Sequence, residues 1–276
     1  MDTYDDIVIG SGLAALGTVM GLPPGRRVAI VAGEAPGRFS HYDARGAVPC
    51  AFDGPGGLGG YWHGVIPMSQ QTAFAGTEAD AFATLFAHFY PRAAAADWLS
   101  RTALFVPWKP IRPGQVLADM AAAPGSALHW RPSLVTRMQT DDAGWTTVDT
   151  AQGACRAPRV WVAAGALHTP ALLSASYGAG LRRSHVSDHV LCYVGQVDGA
   201  TAPQTHRTPD GVYFPARLGS GPSALYTLRP ARFAFRQLDH GIEQRAAFGL
   251  PTGGAVAKIM RSLSPGLLAE AFYNRF

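Results

Sequence analysis

Cysteine is scarce. The 276 residues contain three, Cys50, Cys155 and Cys192. They are widely spaced and odd in number, so they form neither a metal-ligand pattern nor a disulfide framework. No metal is expected, and a reducing, cytoplasmic compartment is the default. Charge is sparse as well, at 15% of residues, and the formal net charge is only +4. No lysine- or arginine-rich run occurs, which argues against nucleic acid as a partner. Long hydrophobic runs are also missing. None approaches the roughly 18 apolar residues of a membrane span, so no membrane partner is expected. The first apolar run starts almost at Met1, so no signal peptide is expected.

Hydrophobic residues make up 47% of the chain, with 32 Gly and 21 Pro. That supports a large core in one large domain or two interleaved ones. Everything else is organised around Asp6-Ile7-Val8-Ile9-Gly10-Ser11-Gly12-Leu13-Ala14-Ala15. The apolar run reads as a buried parallel strand. A G-x-G-x-x-A turn follows it, and Leu13–Met20 then has a helix-compatible, small-residue pattern. Gly10 permits the tight turn, Gly12 lets backbone approach a pyrophosphate, and Ala15 lets helix pack on strand. The helix N-terminus offers N–H groups and a positive dipole end to that pyrophosphate.

Gly21-Leu22-Pro23-Pro24-Gly25 breaks the helix, and Arg27–Glu34 reads as a second parallel strand. Glu34 follows Gly10 at close to the roughly 20-residue spacing of a ribose-binding carboxylate. A solvated loop carboxylate is the alternative. Residues 53–69 place many glycines beside Tyr61, Trp62 and His63. Such a loop suits backbone pressed against a flat ligand, although a loop merely rich in turns has the same composition. Phe82, Leu85, Phe86 and Phe89, then Trp98 and Leu99, predict an amphipathic helix from Thr77 to about Arg101, interrupted at Pro91, with a short helix at 113–123. Residues 127–159 read as a small antiparallel unit, with strands at Leu128–Trp130, Ser133–Met138 and Trp145–Asp149 around a turn at Asp141–Gly144. Arg159–Ala166 reads as another buried strand. A helix follows at 170–176, with Thr169 as its N-cap and Pro170 at its first position.

Later segments add candidate strands at Val212–Pro215, Ala224–Leu228 and Arg232–Arg236, and a helix-like run at Ser264–Phe276.

Together these features resemble the FAD-binding domain of the glucose–methanol–choline (GMC) oxidoreductases. Ala164-Gly165-Ala166-Leu167-His168-Thr169-Pro170-Ala171-Leu172-Leu173 is similar to that family's second signature. Leu58-Gly59-Gly60-Tyr61-Trp62-His63-Gly64 resembles its flavin-facing Gly-Gly loop, and Val186–Val190 its Asp-His segment. The likeness covers residues 1 to roughly 190. It implies an α/β fold: a Rossmann-like, three-layer FAD-binding domain with a β-meander, plus part of an α+β substrate region. The FAD domain would comprise 1–70 and 110–190. A helical insert and partial substrate region would comprise 71–109 and 191–276.

The cofactor set the resemblance implies is Gly10, Gly12, Leu13, Ala15, Glu34, Gly59, Gly60, Tyr61, Trp62, Val135, Ala164, Gly165, Thr169, Asp188 and His189. Ala32 aligns with the family's ribose-binding Glu, so Glu34 serves only through a shifted loop. Tyr61 lies near where some members carry a flavin-linking His, which favours non-covalent FAD. His63 is the candidate base within the matched motifs. The family's catalytic His lies in a C-terminal segment with no counterpart before Phe276. The expectation is therefore an FAD-binding subunit that oxidises a small-molecule alcohol, such as a sugar or natural-product hydroxyl, by hydride transfer. A second polypeptide would complete the active site. A compact self-sufficient flavoenzyme and a non-catalytic nucleotide-binding scaffold are the alternatives.

Overall fold

In the computed structural model, strand β1 (Asp2–Thr3) leads into β2 (Asp6–Ile9), whose residues are all buried. The structure describes residues 1–34, 36–41, 50–61, 64–68, 77–96, 103–178, 205–218 and 225–227. The chain divides into two compact units, 1–62 with 111–193 and 63–110 with 194–276.

Helix α1 (Leu13–Gly21) follows β2 and ends just before the Pro23-Pro24 break. Next come β3 (Val28–Ala32), the hairpin strands β4 (Phe39–His41) and β5 (Cys50–Phe52), and a 3-10 turn at Gly57–Tyr61. The second unit takes β6 (Ile66–Met68), α2 (Thr77–Phe89), α3 (Pro91–Ala94) and β7 (Ala103–Pro107). Pro91 divides α2 from α3 by opening the latter, where its missing N–H costs no helical bond.

The first unit resumes with α4 (Pro113–Ala122), β8 (Leu128–Pro132), β9 (Val135–Thr140), β10 (Thr146–Thr150), β11 (Cys155–Ala157), β12 (Val160–Val162) and α5 (Gly165–Tyr177). Among the described residues the second unit also holds strands β13 (His206–Arg207), β14 (Gly211–Leu218) and β15 (Leu225–Thr227).

Two sheets organise the first unit. One is wholly parallel, in the order β12-β2-β3-β8. The other runs β1-β11-β10-β9, an antiparallel meander with β1 added in parallel. Side chains alternate across a strand. Ile7, Ile9, Ala29 and Val31 accordingly pack with Met138, Val148 and Cys155 of the meander and Leu172 of α5. Val8 and Ile30 point to the opposite face, where α1 and α4 lie. The result is an α/β arrangement with helix, parallel sheet and meander layers.

Two expectations are corrected. Leu128–Trp130 belongs to the parallel sheet and not to the antiparallel unit. Residues 128–132 pair with 28–32 of β3, so β8 extends the sheet, and Ser133-Leu134 carries the chain across to β9. Thr169 is not an N-cap. The backbone turns at Gly165 (φ +87°), directly after β12, and α5 starts there with Ala164 at the cap. Thr169 and Pro170 therefore lie inside the helix, and Pro170 withholds one N–H from its ladder.

The N-terminal end of the parallel sheet is tied by a buried charge. Asp6 is fully buried. It pairs with Arg26 ahead of β3, with Arg159 ahead of β12 (2.9 Å), and accepts from Trp161 Nε1 at 2.9 Å. Burial raises the Asp6 pKa, but the Trp161 and Arg26 hydrogen bonds and the two guanidinium charges outweigh it and hold the carboxyl below its ordinary value.

In the second unit, β13-β14-β7-β6 form an antiparallel sheet with β15 on β14. Phe86, Tyr90, Phe105 and Tyr213 pack edge-on and tilted in its core. Tyr213 donates a buried hydrogen bond to Ala93 O at 3.1 Å. Burial, with Asp210 adding to it, pushes its pKa up to about 12. Asp210 in turn accepts from the Arg92 and Ala93 N–H groups (2.7 and 3.0 Å), which caps the start of α3. No helix among the described residues is long and apolar enough to cross a membrane.

Candidate nucleotide site

The candidate site lies in the first unit, at the C-terminal edge of the parallel sheet. Ligands of open α/β sheets bind at this edge. β2 ends in Gly10, whose φ is +113° and whose N–H donates to Val31 O at 2.8 Å. A side chain there would put its Cβ 2.2 Å from Ala163 O, so only glycine lets β2 turn against the end of β12. Gly12 caps α1 with extended backbone. Neither a side-chain cap nor an acidic residue occupies the first turn. Leu16 N donates to Gly12 O at 3.0 Å, the first bond of the helix. The N–H groups before it form the positive end of the helix, which suits a pyrophosphate. Ala15 is fully buried, in keeping with close helix–sheet packing.

The loop at 53–61 is fastened above this turn. Gly56 N donates to Ser11 Oγ at 2.8 Å in a buried bond. A Cβ on Gly59 would lie 3.5 Å from Leu13 N and 2.9 Å from Pro113 of α4, so the loop passes between the two helix starts. Gly60 and Tyr61 end the same 3-10 turn. The Tyr61 ring packs on Phe39 and Phe52 (centroids 5.2 and 5.0 Å) yet stays 53% exposed.

Gly10, Gly12, Leu13, Ala15, Gly59, Gly60, Ala164 and Gly165 are thus collected around one sheet edge. Val135 opens β9 and packs half-buried against the meander core. Thr169 sits one residue past His168 in α5. Trp62, His63, Asp188 and His189 lie outside the described residues, as do the expected strand at Arg232–Arg236 and the helix at Ser264–Phe276.

Glu34 lies two residues beyond the end of β3 and is exposed. Its Oε1 accepts from Gln152 Nε2 at 2.6 Å, and the same amide nitrogen donates to Pro132 O at 2.8 Å. Sequence reading gave Gln152 no role. It sits in the exposed β10–β11 turn, where nothing local signals that the fold returns it to the end of β3.

Asp53 and His168 also meet, with His168 Nε2 at 2.9 Å from Asp53 Oδ1. Each belongs to a stretch singled out above, but 115 positions of sequence separate them.

No protein-family model matches the chain, and neither does any curated protein sequence. Among solved structures, the chain is similar to NikD, an unusual amino acid oxidase essential for nikkomycin biosynthesis, in its open form. That match has 18% identity over 63% of this chain and 54% of NikD, with a TM-score of 0.30. Formate oxidase from Aspergillus oryzae matches at 12% identity over 64% of this chain and 48% of its own, with a TM-score of 0.43. Glycine oxidase from Geobacillus kaustophilus matches at 16% over 63% and 58%, with a TM-score of 0.33. The matches span about half the length of those proteins. At such identities a likeness carries no residue's role, and function must be read from this chain's own site.

Proposed function

We propose that this chain binds FAD and works as a flavin-dependent oxidoreductase. The observation that carries the reading is the β2–Gly10–Gly12–α1 turn. A glycine that no other residue can replace sits there beside a helix start free of side-chain caps and acidic groups. The first-turn N–H groups of α1 would hold the pyrophosphate, Glu34 the adenosine ribose, and the 53–61 loop the ring side of the cofactor. Bound there, FAD supplies an acceptor for a hydride. The GMC-like motifs extend the proposal to oxidation of a small-molecule alcohol. In that family a histidine takes the hydroxyl proton, and none of the matched motifs here contains its counterpart. We assign that base to a second polypeptide.

The test is the visible spectrum of the natively purified protein, before and after denaturation and removal of the polypeptide. Non-covalent FAD is expected to leave with the small molecules. A protein that carries no flavin and takes up none on titration with FAD, alone or with co-purified partners, overturns the proposal. For the partner, the expected result is alcohol-dependent bleaching of the flavin only in a complex with a second chain.

A second reading is favoured by the His168–Asp53 pair. A histidine oriented by a carboxylate, at the edge where the cofactor would lie, is a base within the chain itself. On that reading the isolated chain turns over alcohol, and His168→Ala abolishes turnover while FAD stays bound.

A further inference from the structure

The end of β3 has an unusual arrangement. Ala32 is buried within the sheet. Gly33 is pressed against the 53–61 loop so closely that a Cβ would lie 1.5 Å from Asp53 O. Neither position can present a functional side chain, so position 34 is the first after β3 that can. A carboxylate there would be a mobile loop side chain if nothing held it. Instead Gln152, carried by the β10–β11 turn, donates one amide nitrogen to Glu34 Oε1 and to Pro132 O, the last carbonyl of β8. The glutamine is itself anchored, because its backbone N–H donates to Thr150 Oγ1 at 3.2 Å and that hydroxyl donates to Gly153 O at 2.7 Å.

We propose that Gln152 is a positioning residue: it holds the displaced Glu34 carboxylate over the sheet edge, so that the site takes an adenosine diphosphate with free ribose hydroxyls. The inference rests on the proposed FAD site and goes beyond it in naming what makes the shifted acid usable. Gln152 occupies one carboxylate oxygen, and the carboxylate's remaining acceptor capacity meets the ribose. A 2′-phosphate would bring negative charge onto Glu34 and be rejected.

The test measures Kd for FAD, 5′-ADP, 2′,5′-ADP and FMN by equilibrium dialysis on the full chain, for wild type, Gln152→Ala, Gln152→Glu, Glu34→Ala and the variant with Ala at both positions. A charge-assisted hydrogen bond is among the stronger ones, so Gln152→Ala is expected to weaken FAD and 5′-ADP by about tenfold. Gln152→Glu sets a second carboxylate against Glu34 and is expected to weaken them further. FMN, which lacks the adenosine, is expected to bind all variants alike, and 2′,5′-ADP to bind wild type much more weakly than 5′-ADP. In the Glu34→Ala background, which leaves Gln152 no side-chain acceptor at position 34, Gln152→Ala is expected to add nothing, which a merely structural role would not produce.

Unchanged 5′-ADP binding in both Gln152 variants overturns the inference while leaving the FAD site standing. So does a loss that persists undiminished in the Glu34→Ala background. A wild-type chain that binds neither FAD nor 5′-ADP overturns the site and the inference together.

Discussion

Asp6→Asn probes the charge that locks the parallel sheet. The asparagine keeps the shape of the side chain and an oxygen for Trp161 Nε1, but it removes the negative charge and turns an N–H donor toward Arg26 or Arg159. Breaking a buried pair by neutralising one partner costs about 3–5 kcal/mol, because the remaining charge is left uncompensated. Here the loss is moderated, since the Arg26 and Arg159 side chains are 27% and 46% exposed and can turn to water. The expected loss is therefore about 2–3 kcal/mol, read by urea denaturation with tryptophan fluorescence. The acid limb carries a second signature. The folded-state pKa of Asp6 is lowered, so its stabilisation is fully present above the unfolded carboxyl pKa of about 3.9 and is lost as pH falls toward the folded value. The gap between wild type and Asp6→Asn should stay constant near neutrality and narrow below about pH 4. A loss under about 0.5 kcal/mol, the range of ordinary surface substitutions, would refute the claim that this carboxylate fastens three strands. So would a gap that widens in acid.

Gly10→Ala meets a positive φ and a 2.2 Å approach to Ala163 O. It should cost at least about 2 kcal/mol and abolish FAD uptake, checked by thermal melting and by FAD titration of the folded fraction. Tyr213→Phe removes one buried hydrogen bond to Ala93 O, an oxygen that also accepts from Ala96 N at 3.1 Å and so keeps a partner. The expected cost is about 1 kcal/mol by urea denaturation. The Tyr213 pKa is raised to about 12, so its contribution holds below the unfolded phenol value of about 10 and is lost as pH rises toward 12. Wild type should therefore lose stability over that alkaline range more steeply than the phenylalanine variant.

The parts of this fold that local physics dictates were legible in the residues. Ile7–Ile9 and Val28–Ala32 are runs too apolar to face water on either side, which is how strands buried in a parallel sheet read. Gly10 marks a turn whose geometry excludes a side chain, and Gly12 opens the helix with extended backbone. Pro91 and Pro113 open helices where their missing N–H is harmless. The strand at Leu128–Trp130 misled because a short run with polar residues beside it suits either an antiparallel edge or a parallel one. Its partner, β3, is about 100 residues away, and no local signal records the pairing. The helix at Gly165 misled for a related reason. Thr-Pro is a common helix opening, but the backbone had already turned at Gly165, whose φ is +87°.

The two ends of the parallel sheet divide the physical tasks between them. At the N-terminal end, Asp6 draws the approaches to β3 and β12 onto β2 through charge, with every partner supplied by side chains. At the C-terminal end close backbone approaches prevail, Gly10 on Ala163 and Gly33 on Asp53, with the small Ser11 hydroxyl accepting from Gly56 N. That division follows from what each end must do. A locked end can spend its polar side chains on its own strands, and once they are spent no ligand can use them. On the proposed function, the other end receives a phosphate and a flat ring, and such an end must bring backbone close with small residues and keep its helix dipole free. Side-chain chemistry then enters the open end at a few fixed points, Glu34 held by Gln152 and His168 held by Asp53. Both pairs join residues more than a hundred positions apart. One member of each pair, Glu34 after β3 and His168 in the helix after β12, follows a strand of the parallel sheet, so on the proposed function Asp6→Asn should weaken FAD uptake, read by FAD titration, as well as stability.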